Sequence, residues 1–104
     1  MEQTTDLTSS GRTIPCERYP QLLAQLPGWE CHNGQLHKAF TFRNYCETMA
    51  FVNAIAWIAH RQDHHPDLEV GYNSCRVRYT THHAGGLTDI DFMCAAKVDS
   101  LVAL

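Results

Sequence analysis

The chain has 104 residues, 44% of them hydrophobic and 18% charged, with a formal charge of -3. That suits one soluble domain able to bury a single core without metal or disulfide staples. The basic residues are few and scattered, which argues against direct nucleic-acid binding, since tracking phosphates needs clustered Lys and Arg. No apolar run reaches the length of a membrane span, and the opening MEQTTDLTSSGR has no apolar signal core, so a cytoplasmic protein without a membrane partner is expected.

In chain order, residues 1–13 are polar and read as a flexible arm, with a single domain over 14–104. ERYPQLLAQL, residues 17–26, predicts a short helix with Pro20 in its first turn and Leu22, Leu23 and Leu26 as its stripe. Pro27-Gly28 stops it. Asn33-Gly34 is the preferred dipeptide of a type I′ turn and predicts a hairpin. In its second strand Leu36, Phe40 and Phe42 share a face that Lys38 interrupts. Asn44 with Glu47 approaches a capping box and opens a helix to about Arg61. Met49, Val52, Ala56 and Ala59 form the stripe of that helix, which Phe51, Ile55 and Ile58 widen. A stripe so broad predicts burial against a sheet on one side and against a partner on another.

Pro66 disfavours helical geometry at His65, so the helix ends before it. A short strand near 68–72 follows, then SCRVRYTTH, where Cys75, Val77 and Tyr79 alternate with Arg76, Arg78 and Thr80. That alternation predicts a half-buried strand. Ala84-Gly85-Gly86 turns the chain. Thr88 with Asp91 is a second capping box, opening a helix to about Leu101 with Ile90, Cys94, Val98 and Leu101 toward the core. The order is α-β-β-α-β-β-α, an α+β fold with a four-stranded antiparallel sheet covered by helices on one face. The other face is expected to be polar or used for assembly. Five cysteines without a CxxC pair predict free, mostly buried thiols in a reducing compartment.

Seven histidines is a high count for this length, and His60, His64, His65, His82 and His83 fall in two clusters at predicted element ends. His60 and His64 have the helical spacing of a zinc pair. Arg61, Gln62 and Asp63 lie between them, no glutamate is in place, and a cationic Arg61 disfavours a divalent ion, so no metal site is predicted. His60 alone suits a final helical turn, where a cation meets the helix dipole. His82 ends the longest strand and can converge with His64 and His65 across one hairpin. Histidine is the side chain best matched to proton transfer near neutral pH, so metal-free acid–base chemistry on a small neutral substrate is the expected activity. Surface histidines without function are the plainer alternative. No nucleophile elbow or Gly-rich phosphate cradle is present.

The run His60-Arg61-Gln62-Asp63-His64-His65-Pro66, followed by Tyr72, His82 and Asp91, resembles the signature of the pterin-4a-carbinolamine dehydratases. Trp29 after Pro27-Gly28 resembles the family's Gly-Trp ahead of the first strand. The resemblance covers about residues 17–103. It implies a hydro-lyase that dehydrates 4a-hydroxytetrahydropterin to quinonoid dihydropterin, in cofactor recycling after aromatic amino-acid hydroxylation. It implies no cofactor and no metal. His64 and His82 would be the main acid–base pair, with His65 assisting. His64 to Pro66 and Thr81, His82, His83 and Ala84 would bind the pterin edge, with Trp29 and Asp91 near the ring. For Asp91, capping the last helix is the plain alternative, and for Trp29, packing alone. Two positions depart from the family: His60 stands where many members have glutamate, and His83 where an acidic residue is common. Asp63 or Asp91 would then supply the missing carboxylate, with His60 and Asp63 behind the catalytic histidines. The resemblance also implies a homodimer or homotetramer. It leaves open a second role, as an interaction module for a transcription factor, or a hydroxylase as partner.

Overall fold

The computed structural model describes residues 12–81 and 85–102. Its elements run in the predicted order. A 3-10 turn, Cys16–Arg18, leads into α1 (Tyr19–Leu23), followed by β1 (Glu30–His32), β2 (Gln35–Thr41), α2 (Tyr45–Gln62), β3 (Asp67–Val70), β4 (Ser74–Tyr79) and α3 (Asp89–Ser100). The four strands form one antiparallel sheet in the order β1-β2-β4-β3. α2 carries the crossover that lets β4 pair with β2, and α2 and α3 pack on each other and against the sheet.

Local chemistry accounts for most of these elements. Asn33 and Gly34 have φ of 53° and 73°, the paired positive values that a type I′ turn requires. β4 shows strict alternation, with Cys75, Val77 and Tyr79 buried inward and Arg76 and Arg78 outward. Lys38 shares the inner face with Leu36 and Phe40, and it is paired there. Its Nζ donates to the Pro27 carbonyl at 2.9 Å and to Asp99 Oδ1 at 3.1 Å. The Asn44 side chain accepts from the Glu47 amide at 2.9 Å, capping α2. The return bond of that box goes one residue further back, from the Arg43 amide to Glu47 Oε1.

Several details differ from the sequence expectation. The first helix is shorter than residues 17–26, because i→i+3 bonds from Gln25 and Leu26 end it in tight turns. β3 spans Asp67–Val70, not 68–72. The face of α2 that enters the core is Thr48, Phe51 and Ile55, one position off the Met49–Val52–Ala56–Ala59 stripe, and Ala56 is exposed. Thr48 is buried because its hydroxyl reaches the carbonyls of Asn44 and Tyr72, both at 2.9 Å. Of the five free thiols, Cys75 and Cys94 are buried, Cys31 is half-buried, and Cys16 and Cys46 are exposed. Of the predicted arm, residues 1–11 lie outside the described residues, and Thr13 forms a bridge with Thr88. No helix among the described residues is long and apolar enough to cross a membrane.

Candidate functional site

The end of α2 sets the position of the first histidine cluster. Asp63 takes the left-handed conformation, with φ 51° and ψ 43°. The Asp63 amide bonds to the His60 carbonyl, and the His64 amide reaches back to the Ala59 carbonyl at 3.1 Å. These are the two bonds of a Schellman motif, so His64 is the residue that closes the helix. Its ring then lies over Tyr79 on the inner face of β4, with centroids 5.7 Å apart and planes within 15°.

α3 supplies the partner. Asp91 is the third residue of that helix and has no exposed surface. Its Oδ2 accepts from the Thr88 amide at 2.9 Å, completing the capping box, and from the Thr81 hydroxyl at 2.7 Å. Its Oδ1 meets His64 Nε2 at 2.6 Å. Both carboxylate oxygens are therefore satisfied, as a buried carboxylate requires. The Asp91 carboxylate thus caps α3 and touches His64 at the same time. An ionised carboxylate can only accept, so the contact calls for the hydrogen on His64 Nε2. When the ring gains its second proton, the contact becomes an ion pair.

A cavity of about 190 Å3 opens beside this pair, lined by Asp63, His64, His65, Asp67, Arg78, Thr80 and Thr81. His64 is mostly buried in its wall, whereas His65 is exposed. Thr81, buried and bonded to Asp91, is the residue that leads into His82. His82, His83 and Ala84 lie outside the described residues.

The other expected site residues stand apart from the cavity wall. Trp29 is buried against Phe40 and Tyr79 at ring distances of 6.0 and 6.4 Å, and its indole N–H donates to Asp99 Oδ1 at 2.8 Å. Tyr79 lies next to both Trp29 and His64. Pro66 is half-buried, but it is not among the residues that line the cavity. His60 is exposed on α2, edge-on to Trp57 at 6.1 Å. Among the described residues no three His, Cys, Asp or Glu side chains are grouped to hold a metal ion. Sequence reasoning passed over Arg78, Thr80 and Asp67 as site residues. The alternation of SCRVRYTTH assigned Arg78 and Thr80 to the outer face, and nothing local said that the cavity wraps round the sheet end.

The fold and the cleft define an α+β domain with a histidine-lined cavity of small-molecule size at one sheet end. The chain belongs to the pterin 4 alpha carbinolamine dehydratase family, whose model matches residues 14–101. A relative from Nitrosospira multiformis is 50% identical over 97% of each chain, and one from Legionella pneumophila is 51% identical over 95% of this chain and 97% of its own. Both are named, provisionally, as pterin-4-alpha-carbinolamine dehydratases. Among solved structures, a transcriptional coactivator/pterin dehydratase from Brucella melitensis superposes with a TM-score of 0.84 at 24% identity, covering 88% of this chain and 100% of that one. That likeness bears on the fold. A pterin dehydratase-like protein identified as a RuBisCO assembly factor in the alpha-carboxysome matches with a TM-score of 0.60 at 25% identity, over 72% of this chain and 87% of that one. Family membership supports a pterin-carbinolamine-dehydratase-like function.

Proposed function

We propose that the protein is a hydro-lyase that dehydrates a 4a-hydroxytetrahydropterin to the quinonoid dihydropterin. His64 and His82 form the acid–base pair, and His65 assists. The observation that carries this reading is the 2.6 Å bond between His64 and the buried Asp91 carboxylate in the wall of the cavity. In the reaction the C4a–O bond breaks and the hydroxyl leaves as water after taking a proton. The N5 proton departs to a base, and the C4a–N5 double bond forms. No electron is transferred, so two groups that exchange protons near neutral pH suffice. Asp91 fixes the ring of His64 and its tautomer, in the way that carboxylates orient histidines in other acid–base sites. It also supplies the carboxylate that the departure at His60 removes. His64 to Pro66 and Thr81 to Ala84 bind the pterin edge, with Thr81 as the join between Asp91 and the second segment. The protein then serves cofactor recycling in the cytoplasm, as a homodimer or homotetramer.

Stopped-flow absorbance with 4a-hydroxytetrahydrobiopterin, with chelator present, tests this directly. The protein is expected to accelerate dehydration, and the double variant His64→Ala, His82→Ala to lose about 10²–10⁴-fold of the rate. A double variant that folds and keeps full activity removes the site assignment, and loss of activity on chelation alone removes the metal-free mechanism.

A second reading, a protein-interaction module, draws on the outward face of α2, where Trp57 is 67% exposed. It agrees with the coactivator and assembly-factor roles named for the two solved structures. Partner binding that survives in the double variant favours it.

A further inference from the structure

A second cavity, of about 380 Å3, lies between the segment 12–18, α1 and the first turn of α3, and it shares no lining residue with the one beside His64. Its floor is apolar, with Ile14 and Phe92 buried and Leu22 half-buried. The Tyr19 ring, 5.7 Å from that of Phe92, supports the floor from α1. Its rim carries the exposed side chains of Arg12, Arg18 and Asp89. The Thr13–Thr88 bridge is antiparallel and the Ile14 amide donates to the Leu87 carbonyl at 2.9 Å, which brings Arg12 alongside Asp89. Arg18 comes in separately, from the end of the 3-10 turn. Among the described residues, none of the three charged side chains is in an ion pair. We propose that this cavity binds a free α-amino acid with an apolar side chain. Arg12 and Arg18 take its carboxylate, Asp89 takes its ammonium, and Ile14, Leu22 and Phe92 take its side chain. The proposal stands apart from the dehydratase reading, since it uses none of the residues in that site.

The charge pattern selects this class. Guanidinium groups donate in a planar fork that matches a carboxylate, and Asp89 can only accept, as an ammonium requires. A phosphate monoester would bring its second negative charge against Asp89. A simple amine would leave both guanidinium groups without an anion and face their repulsion. A neutral apolar molecule would cover three charges without pairing any of them, which is unfavourable. Only a ligand with both charges on adjacent atoms and an apolar tail meets every wall of the cavity. Each charge-assisted contact at such an open rim is worth about tenfold in affinity.

The test titrates the full chain with L-leucine and two molecules that each lack one of its charges, 4-methylpentanoate and 3-methylbutylamine, and follows amide chemical shifts. L-leucine is expected to saturate the protein and to shift Ile14, Leu22 and Phe92, with each truncated molecule binding about tenfold more weakly. Arg18→Met should weaken leucine about tenfold and leave the amine unchanged, and Asp89→Asn should weaken leucine and leave 4-methylpentanoate unchanged. Both positions are exposed, and thermal melts confirm that the variants fold. His64→Ala should bind leucine as the wild type does. Absence of saturable leucine binding, shifts centred on His64, or a truncated molecule that binds as tightly as leucine overturns the proposal. None of these readouts needs turnover, so a failed dehydratase assay leaves the outcome unaffected.

Discussion

Asp63 influences the site through its backbone. An L-residue in the left-handed region costs about 1–2 kcal/mol, less for Asp and Asn, and β-branched residues are true outliers there. Asp63→Val is therefore expected to lower stability by about 1–2 kcal/mol and to reduce activity by displacing His64. Asp63→Gly should keep both. Thermal melts with the stopped-flow assay check this, and an Asp63→Val melt equal to wild type would remove the argument. The same contrast separates backbone from carboxylate, since Asp63→Gly removes the side chain that lines the cavity. At this scale the sequence was legible where the chemistry is local. Thr88 and Asp91 declare a capping box by spacing alone. That the Asp91 carboxylate also reaches His64 depends on how α3 docks at the sheet end, and no spacing carries that. For Trp29 the sequence left both a place near the ring and packing alone open, and the fold buries it beside Phe40 and Tyr79 with its N–H on Asp99.

Between β4 and α3, Tyr79 and Cys94 meet in the core. Burial pushes the Cys94 thiol up to about 12, with the nearby Asp91 adding to the shift, and burial likewise raises the Tyr79 phenol. The Tyr79 hydroxyl lies against the Cys94 sulfur without good hydrogen-bond geometry, so it is under-satisfied among the described residues. Both groups are held neutral in the fold and ionise more readily when unfolded. The unfolded chain thus binds fewer protons above the ordinary thiol value of 9.0, and stability falls as pH rises toward 12. Each group contributes about 1.4 kcal/mol per pH unit within its window. Urea melts from pH 8 upward are expected to weaken from about pH 9, more steeply once the phenol joins. Cys94→Ala should flatten the first part, and an unchanged slope in that variant would refute it. Element identity was readable because turn and strand signals are short-range: Asn33-Gly34 and the alternation of β4 both survive. The face of α2 was readable only in part: Phe51 and Ile55 lay on the widened stripe, but apolar residues cover so much of the circumference that periodicity could not centre it. The buried face includes Thr48, a polar residue whose one hydroxyl hydrogen lies between the Asn44 and Tyr72 carbonyls.

Across the whole molecule, the helices cover one face of the sheet and leave the other polar, with Arg76, Arg78 and Glu69 paired along it. Large apolar side chains remain outside. Trp57 lies on the outward face of α2, and Tyr45 stacks on Tyr72, both exposed. A homo-oligomer through α2 would cover the Trp57 surface. Trp57→Glu is expected to shift the assembly to a smaller species by light scattering coupled to gel filtration, while the monomer fold persists. A wild type already monomeric at tens of micromolar would end that expectation. The link between His64 and Asp91 also bears on time. Twenty-seven positions separate the two residues in sequence, and both strands of the β3–β4 hairpin lie between them. The pair therefore cannot exist until that hairpin has closed and α3 has come down on the sheet end. During refolding, regained turnover would mark completion of the last long-range docking, and a partly folded chain with its sheet in place would still be inert.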